Sequence, residues 1–95
     1  MTVRVIGDAD LASAPRLRAA LVELHDRGHR LVELDLSLVD FLDSTSLGVV
    51  LGAVRRARQA GGNLTLIAAG SAVERLITVL GLGPVLGFPG VAETP

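Results

Sequence analysis

The chain has 95 residues, 49% of them hydrophobic and 20% charged, which is enough for one modest core but not two, and too apolar for a disordered segment. A net charge of −1, with two Phe and no Tyr or Trp, offers neither a field for polyanions nor a stacking platform, and so argues against direct nucleic-acid binding. The absence of Cys excludes disulfides and thiolate metal sites; no apolar run approaches the roughly 20 residues that span a bilayer, and Met1-Thr2-Val3-Arg4 does not open a signal peptide, so the expectation is a soluble, cytoplasmic chain without membrane insertion.

Val3 to Ile6 reads as a short strand running into the loop Gly7-Asp8-Ala9-Asp10. A helix follows, with Ser13 as N-cap, Pro15 in the first turn, Leu17, Ala20, Leu21 and Leu24 on one face, and Gly28 closing it. Leu31 to Leu38 alternates Val32, Leu34, Leu36 and Leu38 with Glu33, Asp35 and Ser37, the pattern of a strand with one covered face. After a turn at Asp40 to Asp43, Leu47, Val50, Leu51 and Val54 return to helical spacing. Arg55, Arg56 and Arg58 stand near the end, where cations suit the helix dipole, and Gly61-Gly62 stops it. Leu64 to Ala69 is a further strand. Ser71 and Glu74 have capping-box spacing before a helix with Val73, Leu76, Ile77 and Leu80 on one face, ended by Gly81. Val85 to Phe88 is expected as a last short strand, and 89–95 as a frayed tail. Strand and helix alternate throughout, which predicts a single α/β domain over 1–95 with a mixed, mostly parallel sheet of about four strands.

His25 and His29 stand four apart, as in a zinc-protease helix, but Gly28 interrupts the helix such a pair needs, and solvated surface histidines are expected. "GLGPVLG", Gly81 to Gly87, carries the glycines of a dinucleotide loop, yet it follows a helix and Pro84 lacks an amide donor, so a helix-stopping turn is expected. Arg55, Arg56 and Arg58 read as a solvated helix face. The remaining concentration of polar chemistry is Asp43-Ser44-Thr45-Ser46. Asp43 can cap the helix, with the three hydroxyl residues as its first turn. No histidine is spaced to activate a serine as a nucleophile. A hydroxyl at a helix N-terminus, where free amides tolerate added phosphate, describes an acceptor better than a catalyst.

The stretch "LDLSLVDFLDSTSLGVVLGAVRRARQAGGNLTLI" resembles the core of the STAS domain of bacterial anti-sigma factor antagonists, whose signature is an Asp-Ser-Ser/Thr-Gly-Leu-Gly turn opening a helix. Gly7-Asp8-Ala9-Asp10 resembles the family's first acidic loop and "SAVERLITVLGL" its third helix. The resemblance implies a STAS-like fold and makes Ser44 the phosphorylated serine, Thr45 the second hydroxyl and alternative acceptor, Asp43 the acid before it and Asp10 the acid near the site. It implies partner switching: the domain binds an anti-sigma factor that is also a serine kinase of the histidine-kinase-like ATPase fold, which frees a sigma factor until phosphate on Ser44 ends the contact. A phosphatase would reset the switch. ATP belongs to the kinase, and no cofactor, metal or catalytic residue is expected in this chain, a monomer or weak dimer. The partner face is expected around Asp10, Val39, Phe41, Asp43, Ser44, Thr45 and Ser46, because Phe41 and Leu42 are large apolar residues in a turn beside the polar cluster. The other readings are an accessory subunit bound to a membrane transporter's cytoplasmic ATPase, and a scaffold component. Three departures stand out: the family's first strand is missing before Val3, Ser46 occupies a glycine position, and the tail after Phe88 is short.

Overall fold

The computed structural model describes residues 1–88; the tail expected to fray lies outside them. Alternating apolar residues produce β1 (Thr2–Ile6), β2 (Leu31–Leu38) and β3 (Asn63–Ala69), separated by α1 (Ala14–Asp26) and α2 (Ser44–Gln59) and followed by α3 (Ser71–Val79) and a short α4 (Gly83–Leu86). The strand order is β1-β2-β3 and both pairings are parallel, as helical crossovers between neighbouring strands require. Where a mixed, mostly parallel sheet of about four strands was expected, the described residues form a sheet of three strands, all parallel.

The residues expected as a fourth strand form α4 instead. Pro84 fits a first helical turn, and Gly87, at φ +62°, closes the segment in the left-handed conformation while the Phe88 amide donates to Gly83 O at 3.0 Å. Leu86 and Phe88 still reach the core. Apolar content was right there and backbone geometry was not.

One face of the sheet carries Val32, Leu34, Leu36, Leu64 and Leu66, all buried in a cluster with Leu21 of α1 and Leu47, Val50 and Val54 of α2. Val73 and Ile77 of α3 complete the same core, while Leu80, expected on that face, is about half exposed. On β2 the alternation breaks at two positions: Leu38 is 49% exposed and Asp35 is only 7% exposed. The pairing is irregular there, between Leu34 and Asp35 on the β3 side and between Arg4 and Ile6 on the β1 side. Asp35 stands opposite Arg4 in the register with β1, and its carboxylate accepts from the Ser37 amide at 2.8 Å and the Arg4 Nε at 3.2 Å, so the buried charge is both paired and hydrogen-bonded. At the far end of the sheet, Gly62 follows α2 where a Cβ would fall on the Arg30 carbonyl. Only glycine lets β3 start beside β2 there.

Helix starts were less legible than helix bodies. Ser13 is the residue before α1, yet its side chain does not cap the helix. Its Oγ accepts from the Asp10 amide, and its own amide donates to Asp10 Oδ1, each at 3.0 Å. Nor do Ser71 and Glu74 make a capping box: α3 begins one residue earlier than that motif needs, with Gly70 as N-cap. Gly70 sits where a Cβ would lie 3.4 Å from Val39 O, a close approach between the loops that follow β3 and β2.

Candidate functional site

Parallel strands leave their C-terminal ends, and the N-termini of the helices that follow, at one edge of the sheet, which is where open α/β sheets gather their functional loops. Two loops meet there. Ala9 and Leu42 form a parallel bridge outside the strands. The Ala9 amide donates to Phe41 O at 2.8 Å and the Asp43 amide to Ala9 O at 3.0 Å. This pairing places the Asp10 loop against the turn that opens α2.

The turn itself forms as expected. Asp43 has extended backbone and its side chain accepts from the Ser46 amide at 2.8 Å, the geometry of an N-cap. Ser44, Thr45 and Ser46 are then the first helical turn, and their environments differ. Ser44 and Thr45 are exposed. Ser46 is fully buried and its hydroxyl donates to Asp10 O at 3.3 Å. A glycine could not make that bond, so serine at this position ties α2 to the acidic loop.

Of the residues expected at the partner face, Phe41 is 52% exposed, Ser44 and Thr45 lie at the surface, and Asp10 and Asp43 are half-buried. Val39 and Ser46, at 1% and 0% exposure, lie beneath it, and Leu42 is buried beside Ala9. The bridge to Ala9 draws Leu42 inward and the bond to Asp10 draws Ser46 inward, while Val39 packs in the hydrophobic core, so all three shape the turn from below. Sequence reasoning missed Leu11 and the groove beside it. Leu11 is 70% exposed, and with Ala14, Pro15, Arg18, Thr45 and Val49 it lines an apolar groove of about 250 Å³ between the starts of α1 and α2. An apolar residue in the turn between the acidic loop and α1 is the only signal that pointed to Leu11.

His25 closes α1 at its opposite end, roughly 16 Å along the helix axis from Ala14 at about 1.5 Å per residue. Neither it nor His29 belongs to the hydroxyl turn. Both are half-buried rather than solvated, because the loop at Gly28 folds them against α2 and the sheet. No group of three or more His, Cys, Asp or Glu able to hold a metal occurs among the described residues, and no helix among them is long and apolar enough to cross a membrane.

The site is thus an exposed serine at the head of a helix, held by a capping acid and a second acidic loop, with apolar side chains around it. The family model described as "Mlab, STAS domain" matches residues 1–87. An anti-sigma-B factor antagonist of Bacillus subtilis (strain 168) is 34% identical over 91 residues, covering 96% of this chain and 83% of the relative. An anti-sigma factor antagonist of Mycobacterium paratuberculosis superposes with a TM-score of 0.83 at 26% identity, covering 95% of this chain and 76% of that one. The Bacillus cell fate determinant SpoIIAA in its phosphorylated form superposes at a TM-score of 0.73 and 22% identity, covering 97% of this chain and 82% of that one, a likeness of fold. With the matched span taking in the acidic loop, the hydroxyl turn and α3, this chain belongs to the STAS domain family.

Proposed function

We propose that this chain is an anti-sigma factor antagonist that switches partners through phosphorylation of Ser44. The observation that carries the reading is the position of Ser44: exposed, first in α2, directly after the capping Asp43 and beside the loop of Asp10. The name and the 34% identity of the B. subtilis relative support it, as does the existence of a phosphorylated form of a protein with this fold.

In the unmodified state Phe41, Leu11 and the groove beside Thr45 offer apolar area to an anti-sigma factor, within a rim of hydroxyls and carboxylates. The partner is an anti-sigma factor that is itself a serine kinase of the histidine-kinase-like ATPase fold and supplies the ATP. Attack of the Ser44 hydroxyl on the γ-phosphorus leaves phosphoserine and ADP, with the hydroxyl proton passing to a base of the kinase. The modified turn gains about −1.5 to −2 charges next to Asp43. The first amides of α2, which have no intrahelical acceptor, steady that charge within the domain. The docked partner, which must approach the added charge and Asp43 together, is repelled. Thr45 is the alternative acceptor.

The test is incubation with the cognate anti-sigma factor and ATP, location of the phosphate by mass spectrometry, and affinity before and after. Phosphate on Ser44 with a loss of affinity supports the reading. Phosphate confined to Thr45, or equal affinities of both forms, removes Ser44 as the switch. Stable binding to a transporter ATPase without phosphate transfer would favour the accessory-subunit reading.

A further inference from the structure

The groove between the starts of α1 and α2 treats the two exposed hydroxyls differently. Its α2 wall is Thr45 and Val49, one turn apart, and its α1 wall is Leu11, Ala14, Pro15 and Arg18; Ser44 does not line it. Successive helical residues stand about 100° apart, so Thr45 turns toward α1 while Ser44 stays at the rim. Apart from Thr45 and Arg18 the lining is apolar. Arg18 is exposed and has no ion pair among the described residues. The carboxylates of this edge are engaged at the helix starts, Asp10 by the Ser13 amide and Asp43 by the Ser46 amide. The groove is thus an apolar trough with carboxylates at its mouth and a free guanidinium one turn further along α1. Beside it, Gly48 follows Ser44 by one turn and is exposed, and a Cβ there would meet nothing within 4 Å. Glycine inside a helix weakens it relative to alanine, and nothing among the described residues requires glycine at this position.

A groove of about 250 Å³ takes a large aliphatic or aromatic side chain as an anchor. The charge that accompanies the anchor must be negative, since Arg18 is the one cation of the lining. It must also point along α1, away from Asp10 and Asp43, because like charges brought together at an interface are penalised and so fix the register of the partner. Resting on the partner-switching reading, we propose that the anti-sigma factor seats an apolar side chain in this groove, pairs an aspartate or glutamate with Arg18 and passes closely over Gly48. Thr45 is then a recognition residue and Ser44 the acceptor. The anchor covers the Thr45 hydroxyl, while the Ser44 hydroxyl, outside the groove, stays open to the γ-phosphate. Phosphate on Ser44 adds its charge at the acidic mouth of the groove, at the end opposite to the one that attracts the partner.

The test uses the full chain and the anti-sigma factor of the phosphorylation experiment, with affinity by calorimetry and folding by thermal unfolding. Arg18→Glu and Leu11→Ser are expected to weaken binding by roughly tenfold or more while moving the unfolding midpoint little, since both side chains are exposed. Arg18→Lys should restore most of the affinity. Arg16→Glu, which reverses the same charge on α1 outside this groove, should bind like wild type. Gly48→Ala is expected to raise the midpoint and yet weaken binding, opposite signs that a purely structural glycine would not give. Phosphate transferred within the complex should be found on Ser44 alone. A complex that switches on Ser44 phosphorylation but is unaffected by Arg18→Glu and Leu11→Ser would overturn the groove and leave the Ser44 reading standing. Phosphate on Thr45 within the complex, or equal losses from Arg16→Glu and Arg18→Glu, would overturn it as well. A dimer of the chain alone that Leu11→Ser dissolves would assign the groove to a second copy instead. Wild type that neither binds the anti-sigma factor nor accepts phosphate from it would remove both readings together.

Discussion

At the scale of single residues, two carboxylates show how the same group serves different ends. Asp35 accepts from Ser37, and this hydrogen bonding, followed by the Arg4 guanidinium, holds its carboxyl below the ordinary value of 3.8 against the opposing cost of burial. The sign follows from linkage. A carboxyl whose folded pKa is depressed binds protons more weakly in the native state than in the unfolded one. Its contribution to stability is therefore complete above the unfolded pKa and is lost as pH falls through the folded one. Wild type should lose stability below about pH 4 more steeply than Asp35→Asn, as measured by urea unfolding at a series of pH values, and parallel curves would refute the assignment. Asp43 acts through geometry, as the acceptor for the Ser46 amide at 2.8 Å. Asp43→Ala should cost about 0.5–2 kcal/mol, the usual range for a lost N-cap. Asp43→Asn, which keeps an acceptor, should recover most of it in the same measurement.

Among the elements, α2 connects the fold to the site, since the helix that presents Ser44 is held by the face it buries. Ser46, Leu47, Val50, Ala53, Val54 and Ala57 form that face, while Leu51 is half-buried at its border. Leu47→Ala should cost ~2–5 kcal/mol, and Leu51→Ala measurably less, because truncation at an edge leaves space that water can refill. Equal losses in chemical denaturation would mean that the helix is rotated from this packing. The helical period placed α2 correctly and assigned Leu51 one step too deep, because the border of a buried stripe depends on neighbours that α2 itself does not encode. Likewise, "VLGF" is an apolar run too short for periodicity to separate strand from helix; Pro84 and Gly87 were the usable signals. The turn at Asp43 was legible because capping is local chemistry. Burial of Ser46 was not, since its hydroxyl bonds to the carbonyl of Asp10, 36 positions away in the chain; nor was that of Val39, which packs in a core assembled from distant elements. Arg56 is half-buried for the same reason: beside Arg55 and Arg58 it reads as one more cation at a helix end until α1 packs beside it.

Across the whole molecule the polar clusters separate toward opposite ends of the sheet, with Ser44 at the end where α2 starts and Arg56, His25 and His29 near the end where α1 and α2 finish. This polarity predicts what phosphorylation can alter. Ser44 is exposed and supports no core residue, and the amides at the start of α2 accommodate the phosphate electrostatically, so a modification there should change the surface and spare the fold. The unfolding midpoint should move by only a few degrees, corresponding to about 1 kcal/mol or less for a domain of this size. Amide chemical shifts should change around Ala9–Ser13, Phe41–Val49 and Gly70, which are linked through the two paired loops and the contact of Gly70 with Val39. Signals of His25, His29 and Arg56 should remain in place. On the same surface, Phe41→Ala should weaken partner binding tenfold or more, about 1.4 kcal/mol, while changing stability by only about 0.5 kcal/mol, as expected of a half-exposed side chain outside the core. Binding by calorimetry and unfolding by denaturant on the same preparation separate the two effects. A variant that binds like wild type would move the partner contact from the turn to another face. A variant that loses binding and stability together would show instead that Phe41 supports the turn from within, and that the surface presented to the partner is built by Leu11 and the groove beside Thr45.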